Sequence, residues 1–379
     1  MDGVRAPKLV VSLAAAAGLL ACAAAALESC VLPDFEVGKP IVDAGPDAVH
    51  DAAVEAGPPH CGKTYPDPPV AETDGGADIS NTLVLALHAV DLGEGEASPP
   101  GYDLDNKCTC FEDAGPTCVS PNQHCDAPDG IDNAGAALIN LVSTAVGSAN
   151  FGSSYFSTKA HEGRWTLLIQ VTGYNGLADD PSVSVALFPS KGLGAMSPKW
   201  DGSDAWPVIA SSVMNDAVTM PIYTSKGAYV ANHVLVATMP SVSLTIAGDT
   251  NTITMKLTSG VLTGTLASLG TLWRIADGTI AGRWYEPDIF AALSSYRDNK
   301  GKPICTDLGF TYSVAKGQIC NGLDILKDLS GAKSLPCDSL SVGIGFHADA
   351  AKLGAVTPLP MATPGCLMAT DPLYDNCSK

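Results

Sequence analysis

The chain has 379 residues, of which 46% are hydrophobic and 16% charged, a balance too apolar for an intrinsically disordered protein and sufficient for a packed core. With 21 Lys+Arg against 40 Asp+Glu the net charge is −19, which repels phosphate backbones and argues against a nucleic-acid partner. Glycine (38) and proline (27) beside only 6% aromatics favour many turns and short strands over long helices.

Arg5 and Lys8 precede an apolar run from Leu9 to Leu27, the basic and apolar regions of a bacterial export signal, expected over residues 1–29. The run is mostly alanine, only weakly lipophilic for a spanning helix. Leu27-Glu28-Ser29-Cys30 resembles a lipobox, with Glu28 a departure; Leu19-Leu20-Ala21-Cys22 is the rival. Cysteine parity separates them. Of the 12 cysteines, processing at Cys30 removes Cys22, acylates Cys30 and leaves ten to pair, whereas processing at Cys22 strands an odd thiol in an oxidising compartment. Cys30 is therefore the expected lipidation site, and a membrane held through an N-terminal lipid anchor is the expected partner.

Residues 30–79 are expected to form an acidic tether rich in Ala, Gly, Pro and Asp, with no apolar periodicity and two histidines, His50 and His60, read as solvated. Residues 80–379 carry a single domain. Leu83-Leu85-Leu87, Trp165-Leu167-Ile169-Val171, Val183-Val185-Leu187, Val242-Leu244-Ile246, Ile253-Met255-Leu257 and Val342-Ile344-Phe346 repeat with the period of two that marks half-buried strands. Two or three short helices are expected. One follows Asp129 and Asp132, read as its caps, through Leu138, Leu141, Val142 and Ala145; another runs from Pro287 through Ile289, Leu293 and Tyr296. Gly248-Asp249-Thr250-Asn251 and Asp277-Gly278 read as hairpin turns. The pattern predicts a mainly β fold, an antiparallel β-sandwich of jelly-roll or lectin-like type with disulfide-stapled ends.

Five of the pairing cysteines lie early (Cys61, Cys108, Cys110, Cys118, Cys125) and five late (Cys305, Cys320, Cys337, Cys366, Cys377). Five cannot pair among themselves, so full oxidation requires at least one bridge between the groups and makes one closed unit. The tight Cys108-x-Cys110 spacing and the export signal favour disulfides over a zinc site. Calcium is the better metal candidate: Asp103-Leu104-Asp105-Asn106 and the stretch from Asp126 to Asn133 gather hard oxygens at turns. Neither is an EF-hand, and Asp126, Asp129 and Asp132 are the expected ligands.

A second candidate site is expected at a loop rim. Tyr174, Asn175, Asp179 and Asp180 join two strong strands, and Trp200, Asp201, Asp204 and Trp206 set two indoles around two carboxylates, the combination that stacks on sugar rings and bonds their hydroxyls. Catalytic signals are thin. No Gly-x-Ser-x-Gly elbow, His-Glu-x-x-His helix or phosphate loop is present. His161-Glu162 is the one dyad of interest, while His124, His233 and His347 have no partner identifiable from sequence.

With CVLPDFEVG, YPDPP, DLDNKCTC, CDAPDGIDNAG, GYNGLADDPSV and AGRW as they stand here, the chain resembles uncharacterised surface lipoproteins of myxobacterial type over most of its length. The resemblance implies export and outer-membrane anchoring and brings no activity. Together these readings predict a cell-envelope lipoprotein whose extracytoplasmic body binds a ligand, a glycan or envelope component with calcium assistance. A purely structural envelope lipoprotein is the alternative, and a hydrolase the third.

Overall fold

The computed structural model describes residues 62–70, 82–111, 115–122, 124–146, 151–247, 252–297, 301–306, 310–331, 333–358, 366–368 and 370–378. The chain divides into two units, Met1–Glu55 and Ala56–Lys379, and the second carries everything below. The export signal, Cys22, Cys30, His50, His60 and Cys61 lie outside the described residues.

Ten strands run in chain order: β1 (Leu83–Asp91), β2 (Thr166–Thr172), β3 (Asp180–Ser190), β4 (Ala205–Ile209), β5 (Tyr223–Ala231), β6 (Val234–Ala247), β7 (Thr252–Leu269), β8 (Leu272–Tyr285), β9 (Ser339–Ala350) and β10 (Lys352–Thr357). The fold is mainly β and antiparallel, as the alternation predicted. Its large sheet closes: β1 pairs with β2 on one side and with β9 on the other, giving the ring β1-β2-β3-β5-β6-β7-β8-β9. Closure leaves no edge to protect in those eight strands.

One face of each strand fills the ring. Leu85, Leu87, Leu167, Ile169, Val185, Leu187, Leu244, Leu257, Ile280, Val342 and Ile344 are essentially inaccessible, and each such side chain contributes about 1.5–3 kcal/mol by leaving water. The interior is therefore packed, and a ligand must bind at an end or on the outer wall. The sandwich character survives locally. Strands β4 and β10 pair in parallel outside the ring, and their Trp206 and Val208 cover the outward Ala86, Leu168, Ala186 and Phe188 of β1, β2 and β3. Burial on both faces explains why β3 ends in an unbroken buried run rather than an alternation.

The helices are α1 (Ala134–Val146), α2 (Ser153–His161), α3 (Glu286–Ser295) and α4 (Phe310–Gly322). α1 and α3 are the two expected from sequence. The α1 cap is Asn133, whose Oδ1 accepts from Ala136 N at 3.0 Å, and not Asp129 or Asp132. α2 was not foreseen; Ser157 and Ser153 bind it to β1 by accepting from Val90 N (2.9 Å) and Leu92 N (2.8 Å).

Of the two expected hairpin turns, β6 and β7 do pair from Ala247↔Thr252 outward, around residues 248–251, which lie outside the described set. Asp277-Gly278 is instead part of β8, where the register to β9 shifts between Ile275 and Gly278, a β-bulge. A Cβ on Gly278 would stand only 2.4 Å from the Phe346 ring, so its glycine answers to packing, not to a turn.

Four disulfides are described: Cys110–Cys125, Cys118–Cys337, Cys305–Cys366 and Cys320–Cys377, and Cys108 is disulfide-bonded as well. Cys118–Cys337 spans 219 residues and joins the early group to the late one. Several bridges in one body fit an oxidising, extracytoplasmic compartment. No helix among the described residues is long and apolar enough to cross a membrane.

Residues 62–70, inside the stretch read as tether, pack on the barrel. Tyr65 meets Tyr102 edge-on at 5.7 Å, Tyr229 Oη donates to Pro66 O at 2.5 Å, and Asp103 N donates to Lys63 O at 3.0 Å.

Candidate metal centre

Between β1 and α1 the chain makes a long disulfide-bound excursion that lies on the outside of β8 and β9. Its seat is tight: a Cβ on Gly343 of β9 would fall 2.1 Å from Pro100 O. Asn133 Nδ2 clamps the same contact by donating to Pro100 O (2.7 Å) and Gly343 O (3.0 Å). This anchoring brings the two acidic stretches together.

Asp103, Asp105 and Asp132 each offer an oxygen within 4.8 Å of the others. Two ligands of one calcium ion, each at 2.3–2.6 Å, stand at most about 5 Å apart, so the spacing suits a single ion. Asp132 is 5% exposed, and its Oδ2 accepts from Leu104 N at 2.6 Å. Asp105 accepts from Thr117 Oγ1 at 2.6 Å and Lys107 N at 2.9 Å. Asp126 accepts from Thr109 N at 2.5 Å and is hydrogen-bonded to Asp132.

Asp324, just after α4, completes the group; Ser341 N and Oγ donate to it at 2.8 and 2.5 Å. Cys118 Sγ lies 3.3 Å from Asp324 O, so the Cys118–Cys337 bridge holds the excursion against this late aspartate.

The charge is badly balanced. Burial, and then the neighbouring Asp105 and Asp103, push Asp126 up to about 7. Asp132 is raised well above the carboxylate range by burial and by Asp105, Asp126 and Asp324, and burial brings Asp324 to about 6. Arg283 of β8, 8% exposed, and Lys107 pull on Asp105 from the other side; Arg283 is fixed by donating to Leu104 O at 2.5 Å and Lys327 O at 3.2 Å. A divalent cation would relieve the remaining repulsion.

The nest opens into solvent. A cavity of about 400 Å³ is lined by Asp105, Thr109, Asp126, Asp132, Asp324 and His124. A wider cleft of about 840 Å³ shares Asn122, His124, Asp126, Asp132 and Asp324 and adds the amides of Asn140, Gln318 and Asn321.

Of the three ligands expected from sequence, Asp126 and Asp132 belong to the nest and Asp129 does not. Asp129 is exposed in a short 3₁₀ turn with φ 63°, and its backbone oxygen accepts from Lys63 N at 2.5 Å. Asp324 and Arg283 escaped the sequence reading. An isolated aspartate in Gly322-Leu323-Asp324 carries no signal, whereas an arginine inside a strand, Gly282-Arg283-Trp284, was a visible oddity.

The eight loop-rim residues are not gathered into one surface. Tyr174 is buried in the barrel interior, edge-on to Trp273 at 5.2 Å, and donates to Leu177 O at 2.7 Å. Asp180 accepts from Asn175 N (2.8 Å) and Ser182 N (3.1 Å), and Asp179 from Asn232 N (2.8 Å). Asn175 accepts from Leu177 N and donates to Asp179 O. These groups hold their own loop.

Trp206 belongs to the separate core on the outer face of the wall and is fully buried. Asp204 accepts from Lys199 N and Trp200 N at 2.8 Å each, and exposed Asp201 closes a turn onto Ser203. Interior Tyr174 and outer Trp206 thus lie on opposite faces of the sheet.

No protein-family model, curated protein or solved structure matches the chain.

Proposed function

We propose that the chain is an exported envelope lipoprotein, anchored through Cys30 to the outer membrane, whose barrel binds calcium in the aspartate nest. Calcium and the adjoining cleft together take a neutral, hydroxyl-rich ligand, a glycan or envelope component. The observation that carries this reading is the convergence of Asp103, Asp105 and Asp132 at single-ion spacing, with Asp132 shared by a cleft that carboxamides line. Calcium neutralises the carboxylates and leaves coordination sites for sugar hydroxyls, while amides supply both donors and acceptors. The signal-like N-terminus, the disulfides and the myxobacterial resemblance support the location, and the −19 charge disfavours anionic ligands.

The test is calorimetry with calcium on the mature chain, followed by a glycan array with calcium and with chelator. One saturable calcium site and calcium-dependent glycan retention are expected. A chain that binds neither is a structural envelope lipoprotein. The rise of Asp126 to about 7 favours one further reading, acid–base hydrolysis in the cleft. Glycan turnover that survives chelation would select it over calcium binding.

A further inference from the structure

Across the barrel wall, β1, β9 and β8 present a second constellation of side chains that the aspartate nest does not use. His88 of β1 sits where the β1–β9 register slips between Leu87 and Ala89, so it is the extra residue of a β-bulge, a device that re-aims one side chain. The bulge in β8 between Ile275 and Gly278 flanks the same part of β9 from the other side. His347 of β9 lies between the two irregularities, and His161 ends α2 nearby. The ring of His88 is 6.3 Å from that of His161 and 6.4 Å from that of His347.

Two of these imidazoles already have a second partner of the kind that orients a metal ligand. His88 Nε2 donates to Asp349 Oδ2 at 3.1 Å, and Asp349 is itself fixed by Arg274, whose Nε and Nη2 donate to Oδ1 at 2.9 and 2.7 Å. His347 Nδ1 donates to Ala276 O, within the β8 bulge. Each contact sets the tautomer and leaves the other ring nitrogen with a free lone pair, as in carboxylate–histidine–metal and carbonyl–histidine–metal relays.

Trp200 gives the constellation a wall. Its backbone is left-handed, φ 57°, which is rare for a bulky residue and concentrates at functional sites. The indole lies 5.2 Å from His88 and stacks within 15° of His161 at 5.7 Å.

The geometry points to a binding site for one borderline transition-metal dication, Zn²⁺ or Cu²⁺, held by His88, His161 and His347, with Asp349 and Arg274 as positioning residues. Three imidazoles are the donor set such ions prefer, and copper should bind more tightly than zinc. Imidazoles on one tetrahedral ion have ring centroids about 5 Å apart. As they stand the rings are too far apart to share an ion, and His161 and His347, both exposed, must turn toward His88 to hold it. This site is separate from the nest and does not rest on the calcium reading.

The experiment is equilibrium dialysis of the untagged mature chain, carrying His50→Ala and His60→Ala, against ZnCl₂ or CuCl₂ in millimolar calcium. Calcium keeps the nest occupied, and the two substitutions remove the N-terminal imidazoles. One ion per chain is expected, with imidazole nitrogen couplings in the Cu²⁺ EPR spectrum. Exposed His161→Ala and His347→Ala should each weaken binding about tenfold or more, and Asp349→Asn about tenfold, with melting temperatures showing the variants folded. His233→Ala should change nothing. Absence of saturable binding, binding indifferent to His161→Ala and His347→Ala, or binding abolished by calcium would each overturn the site.

Discussion

Asp126 and Asp132 meet carboxyl to carboxyl in a hydrogen bond, which requires that one of them keep a proton near neutral pH. Burial and neighbouring aspartates raise both groups, so the pair shares a proton. A cation entering the nest must displace that proton, and calcium binding should release protons to the buffer. Calorimetry at pH 7 in buffers of different ionisation enthalpy should give binding heats that differ in proportion; identical heats would mean that calcium binds elsewhere.

The same pair sets how stability depends on pH. Asp126 is raised in the fold from about 4 to about 7, so the folded state holds a proton that the unfolded chain has lost. Stability from this group is fully present below the unfolded value, near pH 4, and declines as pH rises through about 7. Asp324, raised to about 6, adds in the same direction. In chelator, the melting temperature should therefore contain a component that falls between pH 4 and pH 7, and millimolar calcium should reverse it at the upper end. A melting curve whose calcium response is no larger at pH 7.5 than at pH 5 would contradict this linkage.

Asp132→Asn separates the metal role from the structural one. Its Oδ2 accepts from Leu104 N, a bond the amide oxygen can keep, while the substitution removes one charge from a crowded nest. In chelator at pH 7.5 the variant should melt no lower than the parent, yet it should lose most of the calcium-induced rise. For a ligand of the native state that rise is about 2.7 kcal/mol at one hundred times Kd.

The Cys118–Cys337 bridge closes 219 residues and by chain entropy alone contributes up to about 5 kcal/mol. It also presses the excursion against Asp324. Cys118→Ser with Cys337→Ser should lower the melting temperature and weaken calcium binding together. By contrast, loss of Cys305–Cys366, a 61-residue closure whose cysteines are absent from the nest, should lower stability and leave calcium affinity intact. Equal calcium affinity in the two variants would detach the bridge from the site.

The strands were legible because their inward residues alternate against an apolar interior, and all six alternating segments named from sequence lie in barrel strands. Closure of the sheet was not legible, since the β1–β9 pairing joins residues more than 250 positions apart and alternation is the same in an open sandwich and a closed ring. Asp277-Gly278 misled because a bulge glycine and a turn glycine share one local signature. Asp103, Asp105, Asp126 and Asp132 were visible as carboxylates clustered at turns, though only Asp126 and Asp132 of the three expected ligands lie in the nest. Asp324 was hidden because only the Cys118–Cys337 closure brings it near. His88 and His347 were hidden because partners across strands leave no trace in local spacing.

Trp206 and Asp201 distinguish the cleft from the loop rim as the ligand site. A glycan platform needs an accessible indole face, and Trp206 of β4 is fully buried on the outer wall of the barrel, in one cluster with Phe188 and Leu168. Asp201 is exposed, with Oδ1 accepting from Ser203 N at 2.9 Å, and it lies outside both cleft linings. Trp206→Ala should cost about 3–5 kcal/mol through the cavity it leaves; Trp206→Phe preserves much of the packing and should cost less. If the cleft is the site, Trp206→Phe and Asp201→Ala should retain glycan in calcium as the parent does, while Asn140→Ala and Gln318→Ala in the cleft lining should weaken retention at unchanged melting temperature. The opposite pattern, retention lost on Asp201→Ala and untouched by Asn140→Ala and Gln318→Ala, would return the ligand to the loop that carries Trp200.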